Sequence, residues 1–171
     1  MLLMIIIING SVGVGKSSVA DELHRKFDKS INLDGDSLGD VHPFTIYDEQ
    51  RIQYLYRTLE LLVAFHQENG YSNFVINYVF ESPDSLKELL DLLIPLDPSI
   101  KTYWLTCRAK EEASRIKGRG RKELEWELKR FLDLQQIQAE AAHRGFIGKE
   151  VDTSGLSVAE TADLIWDDVF Q

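Results

Sequence analysis

Two kinds of hydrophobic pattern alternate along the chain. Residues 2–8 form an unbroken apolar run and residues 74–79 another, interrupted by Asn77, as in strands buried on both faces of a sheet. Residues 100–106 read as a further strand, and residues 31–36 and 146–151 as shorter, weaker ones. Between them, apolar positions recur every three or four residues, the period of a helix with one buried face. Val19, Leu23 and Phe27 mark the first such helix. Ile52, Leu55, Leu59, Leu62, Val63 and His66 mark a long one over residues 48–67, and Leu86, Leu89, Leu90 and Leu93 a third. Residues 109–117 and 122–144 predict two more, and Val158, Ala162, Ile165 and Val169 are the core face of the last.

Local chemistry marks the boundaries. Asn69-Gly70 stops the long helix, and Ser82-Pro83-Asp84 supplies a cap, a proline at the first helical position and an acid in the first turn. Ser157 and Glu160 make a capping box, and His42-Pro43 lies in a loop over residues 39–47. Gly118-Arg119-Gly120-Arg121 is a hinge between two charged helices. Alternating strands and helices predict a three-layer α/β fold with a parallel sheet of about five strands and right-handed crossovers. One domain spans residues 1–171, with a small helical lid over residues 109–130.

Residues 10–17, Gly-Ser-Val-Gly-Val-Gly-Lys-Ser, join the first strand to the first helix and follow the spacing G-x-x-x-x-G-K-[ST]. In this context, glycines let backbone N–H groups wrap nucleotide phosphates, and a helix N-terminus aims partial positive charge at the same oxygens. Gly10, Ser11, Val12, Gly13, Val14, Gly15, Lys16, Ser17 and Ser18 are therefore the candidate nucleotide cradle. Lys16 would reach the β- and γ-phosphates, and the Ser17 hydroxyl would ligate Mg²⁺. Asp34 and Asp36 lie at the end of the second strand, and in an open parallel sheet ligands bind beyond the strands' carboxyl ends.

Composition narrows the partners. The net charge of −9 argues against a general nucleic-acid surface, yet 10 of the 19 Lys and Arg fall between Lys101 and Arg130. Arg115, Arg119 and Arg121 sit around the hinge, and guanidinium binds phosphate oxygens bidentately. A lone Cys107 and no 18-residue apolar span point to a cytoplasmic protein with no membrane association. The apolar start lacks the basic region of a signal peptide. His24, His42, His66 and His143 show no ligand spacing, so no structural metal is expected; His42 alone falls near the presumed acceptor site. Trp104, Trp126 and Trp166 are read as packing residues. Arg51, Tyr54 and Arg57, early on the long helix, are candidates to line a substrate cleft, and Asn77 and Tyr78 lie at its mouth.

No Asn-Lys-x-Asp signature of guanine-nucleotide switches exists, and neither apolar strand ends in the acid of motor or transport ATPases. The glycine loop, Asp34-Gly35-Asp36, the Arg115/Arg119/Arg121 lid and Asp152-Thr153-Ser154 before a capped helix together resemble the small P-loop kinases. These include gluconate, shikimate and nucleoside monophosphate kinases and chloramphenicol phosphotransferase. Asp36-Ser37-Leu38 followed by His42-Pro43 is similar to the Gly-Asp-x-Leu-His-Pro of gluconate kinases, with extra residues between. Relatives often carry an acid near Asn77.

The resemblance implies a P-loop NTPase fold and transfer of the γ-phosphoryl of ATP, with Mg²⁺, to a hydroxyl of a small molecule. It implies that Asp34 orients metal-bound water and that Asp36 accepts a hydrogen bond or proton from the acceptor. Arg115 and Arg119 neutralise the moving phosphoryl, and the 152–155 segment, with Thr153, touches the adenine. The expected acceptor is sugar-acid-like or a related metabolite or antibiotic, bound by Asp36, Arg51, Tyr54, Asn77 and Tyr78. Two alternatives are a nucleoside or nucleotide kinase and a nucleotide-binding regulatory module without an acceptor. The chain is expected to act as a monomer or homodimer.

Overall fold

The computed structural model describes residues 4–120 and 122–171. Five strands, β1 (Met4–Gly10), β2 (Ile31–Asp34), β3 (Asn73–Asn77), β4 (Lys101–Thr106) and β5 (Lys149–Asp152), form one parallel sheet in the order β2-β3-β1-β4-β5. Seven helices are described: α1 (Lys16–His24), α2 (Gly35–Leu38), α3 (Glu49–Glu68), α4 (Pro83–Leu93), α5 (Ala109–Gly118), α6 (Leu124–Arg144) and α7 (Val158–Val169).

Strand side chains alternate between the two faces of the sheet, and both faces are covered. Ile5, Ile7, Phe74 and Ile76 pack with Leu55, Leu59, Leu86 and Leu89 of α3 and α4. Ile6, Ile8, Val75 and Leu105 pack with Val19 and Leu23 of α1 and Ile165 of α7. That is why β1 reads as continuous isoleucine rather than as alternation: Ile5 to Ile8 are all fully buried. The three-layer α/β expectation therefore holds.

Several boundaries differ from the sequence reading. β2 stops at Asp34, because the Asp34 carboxylate accepts from the Ser37 amide at 2.9 Å and turns the chain into the one-turn α2. Asp36 thus sits on a helical turn, not a strand end. β3 stops at Asn77, opposite Asp34, so Tyr78 and Val79 leave the sheet where β2 no longer accompanies them. β5 begins only at Lys149; the preceding Ile147 carbonyl is taken by the Asn9 side chain at 3.0 Å instead of by a ladder. Val158, at the first position of α7, points to solvent, leaving Ala162, Ile165 and Val169 as that helix's apolar face.

Asn9 is the buried polar link at the end of β1. Its oxygen accepts from the Phe80 amide (2.9 Å) and the Gln138 amide (2.9 Å), and its nitrogen donates to Ile147, which joins β1 to α6 and to the loops after β3 and before β5. Removing it would orphan several buried groups at about 1–3 kcal/mol each. Asn9→Ala is expected to lower the unfolding free energy by about 3–5 kcal/mol in urea denaturation.

Candidate active site

The glycine loop crosses from β1 to α1 at the carboxyl edge of the sheet, on its central strand. Gly13 has φ +91°, and an added Cβ would lie 2.4 Å from Ile116 Cγ1 of α5, so both conformation and crowding demand glycine. Gly15 has φ +109° and caps α1, with nothing within 4 Å of a Cβ; there conformation alone makes the demand. Lys16 is buried and its Nζ donates to the Ser11 carbonyl at 2.9 Å. Among the described residues no carboxylate pairs with it. Burial holds its pKa below the ordinary lysine value, against the pull of Asp36, Glu112 and Asp34. A desolvated cation with one carbonyl partner beside a helix N-terminus fits a polyanionic phosphate chain.

Sheet register builds the adjoining corner. Asp34 pairs with Asn77, and Asn77 with Ile8, which brings both side chains against the start of α1. Ser17 Oγ lies 3.0 Å from Asp34 Oδ2 and 3.1 Å from Asn77 Oδ1. One hydroxyl proton cannot serve both oxygens, and the buried Asn77 Nδ2 has no hydrogen-bond partner. Turning the Asn77 amide over satisfies both: its nitrogen donates to Ser17 Oγ, and Ser17 donates to Asp34. The Ser17 hydroxyl and the Asp34 carboxylate are hard oxygen donors, which fits magnesium, and Asn77 orients the hydroxyl. Among the described residues no group of three or more His, Cys, Asp or Glu is able to hold a metal. A divalent cation here would thus complete its shell with phosphate oxygens and water, as magnesium ordinarily does.

The two arginines assigned together by sequence are separated by the fold. Arg119, at the end of α5, faces the cavity over the loop and is near enough to Lys16 for their charges to interact. Arg115 instead donates to the Val14 carbonyl (3.1 Å), to Thr153 Oγ1 (2.9 Å) and to the Thr153 carbonyl (2.9 Å), and pairs with Glu111. It clamps the glycine loop to the 152–155 turn. Arg121 lies outside the described residues.

Glu112, one turn before Ile116, is a site residue that sequence reasoning missed. It is fully buried, accepts from Ser11 Oγ and from Gln135 of α6 (2.6 Å), and burial pushes its pKa up. In sequence it is one more acid on a charged helix, and only the packing of α5 against the loop reveals its place.

A cavity of about 940 Å³ runs from the loop, past Lys16, Asp36 and Arg119, to a wall formed by the 40–47 segment, the loop after β3 and α6. Tyr78 lines it, whereas Asn77 is buried behind at the Ser17 corner. Arg51 reaches the cavity, but the residue is 6% exposed and its guanidinium donates to the carbonyls of Thr45, Gly39 and Ile46. It holds the wall in place with three of its five N–H donors. Tyr54 (57% exposed) and Arg57, which pairs with Glu60, lie off the lining, one helix face away. His42 is also outside it. Trp126, read as a packing residue, is 54% exposed and lines the cavity; Trp104 bonds Gln138 and Trp166 packs on Phe27, as expected.

A parallel sheet whose central strand empties into a glycine loop over a helix N-terminus defines the P-loop class. The family model described as AAA domain matches residues 6–140, and the chain belongs to that family. Its fold is that of the small P-loop kinases. It is similar to a Deinococcus radiodurans tunicamycin resistance protein at TM-score 0.70 and 18% identity, covering 98% of this chain and 95% of that one. It is also similar to a sugar kinase from Janibacter sp. HTCC2649 (0.68, 15%, covering 99% and 96%) and to shikimate kinase from Bacteroides thetaiotaomicron (0.64, 13%, covering 98% and 99%). No curated protein matches the chain in sequence.

Two glycines test the loop geometry. Gly13→Ala is expected to destabilise by about 1–3 kcal/mol through strain and the Ile116 clash, while Gly118→Ala, in α5 with open space around it, stabilises by about 0.5–1 kcal/mol. Thermal unfolding of the two variants measures the contrast.

Proposed function

We propose that the chain is a phosphotransferase that moves the γ-phosphoryl of ATP, with Mg²⁺, to a hydroxyl of a small molecule. The observation that carries this reading is one cavity shared by Lys16, Asp36 and Arg119 and extending well beyond the loop. A nucleotide-binding regulatory module would have no use for that extension or for an acid set beside the loop.

In this reading the loop amides and Lys16 hold the β- and γ-phosphates, Ser17 and Asp34 would hold the cation and its water, and Asn77 orients the Ser17 hydroxyl. The bound cation supplies charge neutralisation and alignment of the phosphates. Asp36 accepts the hydrogen bond, and then the proton, of the acceptor hydroxyl. Arg119 stabilises charge on the phosphoryl oxygens from the lid side. Arg115, through Val14 and Thr153, positions the turn on which the adenine rests. Phosphoryl transfer depends mainly on positioning and electrostatics, and such a set of groups is sufficient for it. A lid that excludes water favours the acceptor hydroxyl over hydrolysis. The ATP requirement and the lone free Cys107 support action in the cytoplasm.

Lys16→Ala is expected to abolish acceptor-stimulated ADP release. Arg119→Ala should lower kcat by about 10³-fold or more. Asp36→Asn should lower it by about 10²–10⁴-fold while leaving nucleotide affinity nearly intact. Titration with an ATP analogue beside steady-state assays of these variants checks the division of roles; equal loss of nucleotide affinity in the Asp36 variant would refute it.

A further inference from the structure

Tyr54 and Arg57 of α3 stand clear of the cavity, and both belong to a second surface on that helix. Leu55, Tyr56, Leu59 and Val63 face the core. A surface helix with one buried side ordinarily turns charged and polar residues to the water opposite. α3 instead carries Tyr54 (57% exposed), Leu61 (68%) and Phe65 (58%) there. These are seven and four positions apart, so at about 100° per residue they fall on one line along the helix, opposite Leu59 and Val63. Arg57 and Glu68, both exposed, and the half-buried Ala64 complete a stripe with the three-and-four spacing of a helix–helix seam. A helix apolar on two sides is built to be covered on both, and among the described residues no element of this chain covers Leu61 or Phe65.

The order of residues along the stripe identifies what covers it, because the stripe complements itself. In an antiparallel pair of α3 helices related by a twofold axis at Leu61, Leu61 faces its own copy, Arg57 faces Phe65 and Tyr54 faces Glu68. A guanidinium over a ring and a phenol donating to a carboxylate are both favourable pairs, and the symmetry makes each of them twice. Arg57 pairs with Glu60, yet its side chain is 62% exposed, which leaves the guanidinium accessible. A parallel pair would instead set Glu68 against Glu68 and Arg57 against Arg57. A bilayer suits the stripe poorly: Arg57 is its one basic residue and the chain carries a net charge of −9, whereas helices that lie on membranes present Lys and Arg. A helix of 20 residues is about 30 Å long and about 10 Å wide, so the contact is on the order of 300 Å² per copy, under the about 800 Å² of a standard interface. Such a contact makes a reversible dimer.

We infer that the outer stripe of α3 is a homodimer interface, in which a second copy of this chain lays its own α3 antiparallel across the first with Leu61 at the twofold axis. Tyr54, Arg57, Phe65 and Glu68 set the register. This face lies outside the cavity lining, so the interface does not depend on phosphotransfer.

Sedimentation equilibrium of the full chain, from about 5 to about 300 µM, is expected to show a mass rising from that of the 19.6 kDa monomer towards twice that value, with a Kd of about 10–100 µM. Leu61→Glu, which sets two carboxylates against each other at the axis, should weaken association at least about tenfold while circular dichroism and thermal unfolding stay as in the unaltered protein. Cross-linking with oxidised glutathione reads the register, with the unaltered chain and its Cys107 as control. Leu61→Cys should cross-link to itself. Tyr54→Cys should cross-link to Glu68→Cys and not to itself, because the two copies of residue 54 would lie about 20 Å apart along the pair. A monomer at every concentration would overturn the inference, whether the chain then sediments with phosphatidylglycerol vesicles, as a membrane face would, or does not, as a face for a different protein would. So would a dimer unaffected in a folded Leu61→Glu variant, or cross-linking of Tyr54→Cys to itself as efficient as to Glu68→Cys.

Discussion

A buried ammonium organises this molecule. Lys16 lies buried at the start of α1, and among the described residues the Ser11 carbonyl is its one hydrogen-bond partner. Leaving a charge so poorly solvated costs several kcal/mol unless other charges compensate. Asp34, Asp36 and Glu112 provide that compensation at longer range, from three different elements. The glycine loop must keep its left-handed turns to hold the lysine there, and the sheet must keep its register to bring the acids near. The result is a site electrostatically incomplete without an anion.

Much of the remaining architecture serves to keep that loop still. Glu112 fastens Ser11 to α5 and α6, and Arg115 fastens Val14 to the turn after β5. Asn9 ties the strand that feeds the loop to α6 and to the loop after β3. These contacts run through α5 and α6, which lead to Arg119 and carry Trp126 and Arg130, so that wall of the cavity and the glycine loop share one set of polar anchors.

The far wall of the cavity follows a different logic. Its arginines are consumed within the protein: Arg51 staples a wall loop, and Arg130 neutralises Glu81. A guanidinium's chemistry suits both phosphate recognition and loop bracing, because its rigid fork matches carbonyl groups as readily as anions. Residue type therefore identified arginine-rich regions without revealing which arginines were free.

Hydrophobic period and punctuation alone determined the alternation of strands and helices, hence the parallel three-layer class, because each apolar stripe has to be buried against another element. The glycine loop was equally legible, since its backbone needs particular residues at fixed spacing. Asp34 and Asn77, 43 positions apart, became neighbours of Ser17 only through strand register. Glu112, Arg115, Arg51, Tyr54 and Trp126 changed meaning for the same reason. A charged or aromatic side chain on a helix looks alike in sequence whether it faces water, a carbonyl or a cavity, and only packing between distant elements decides which.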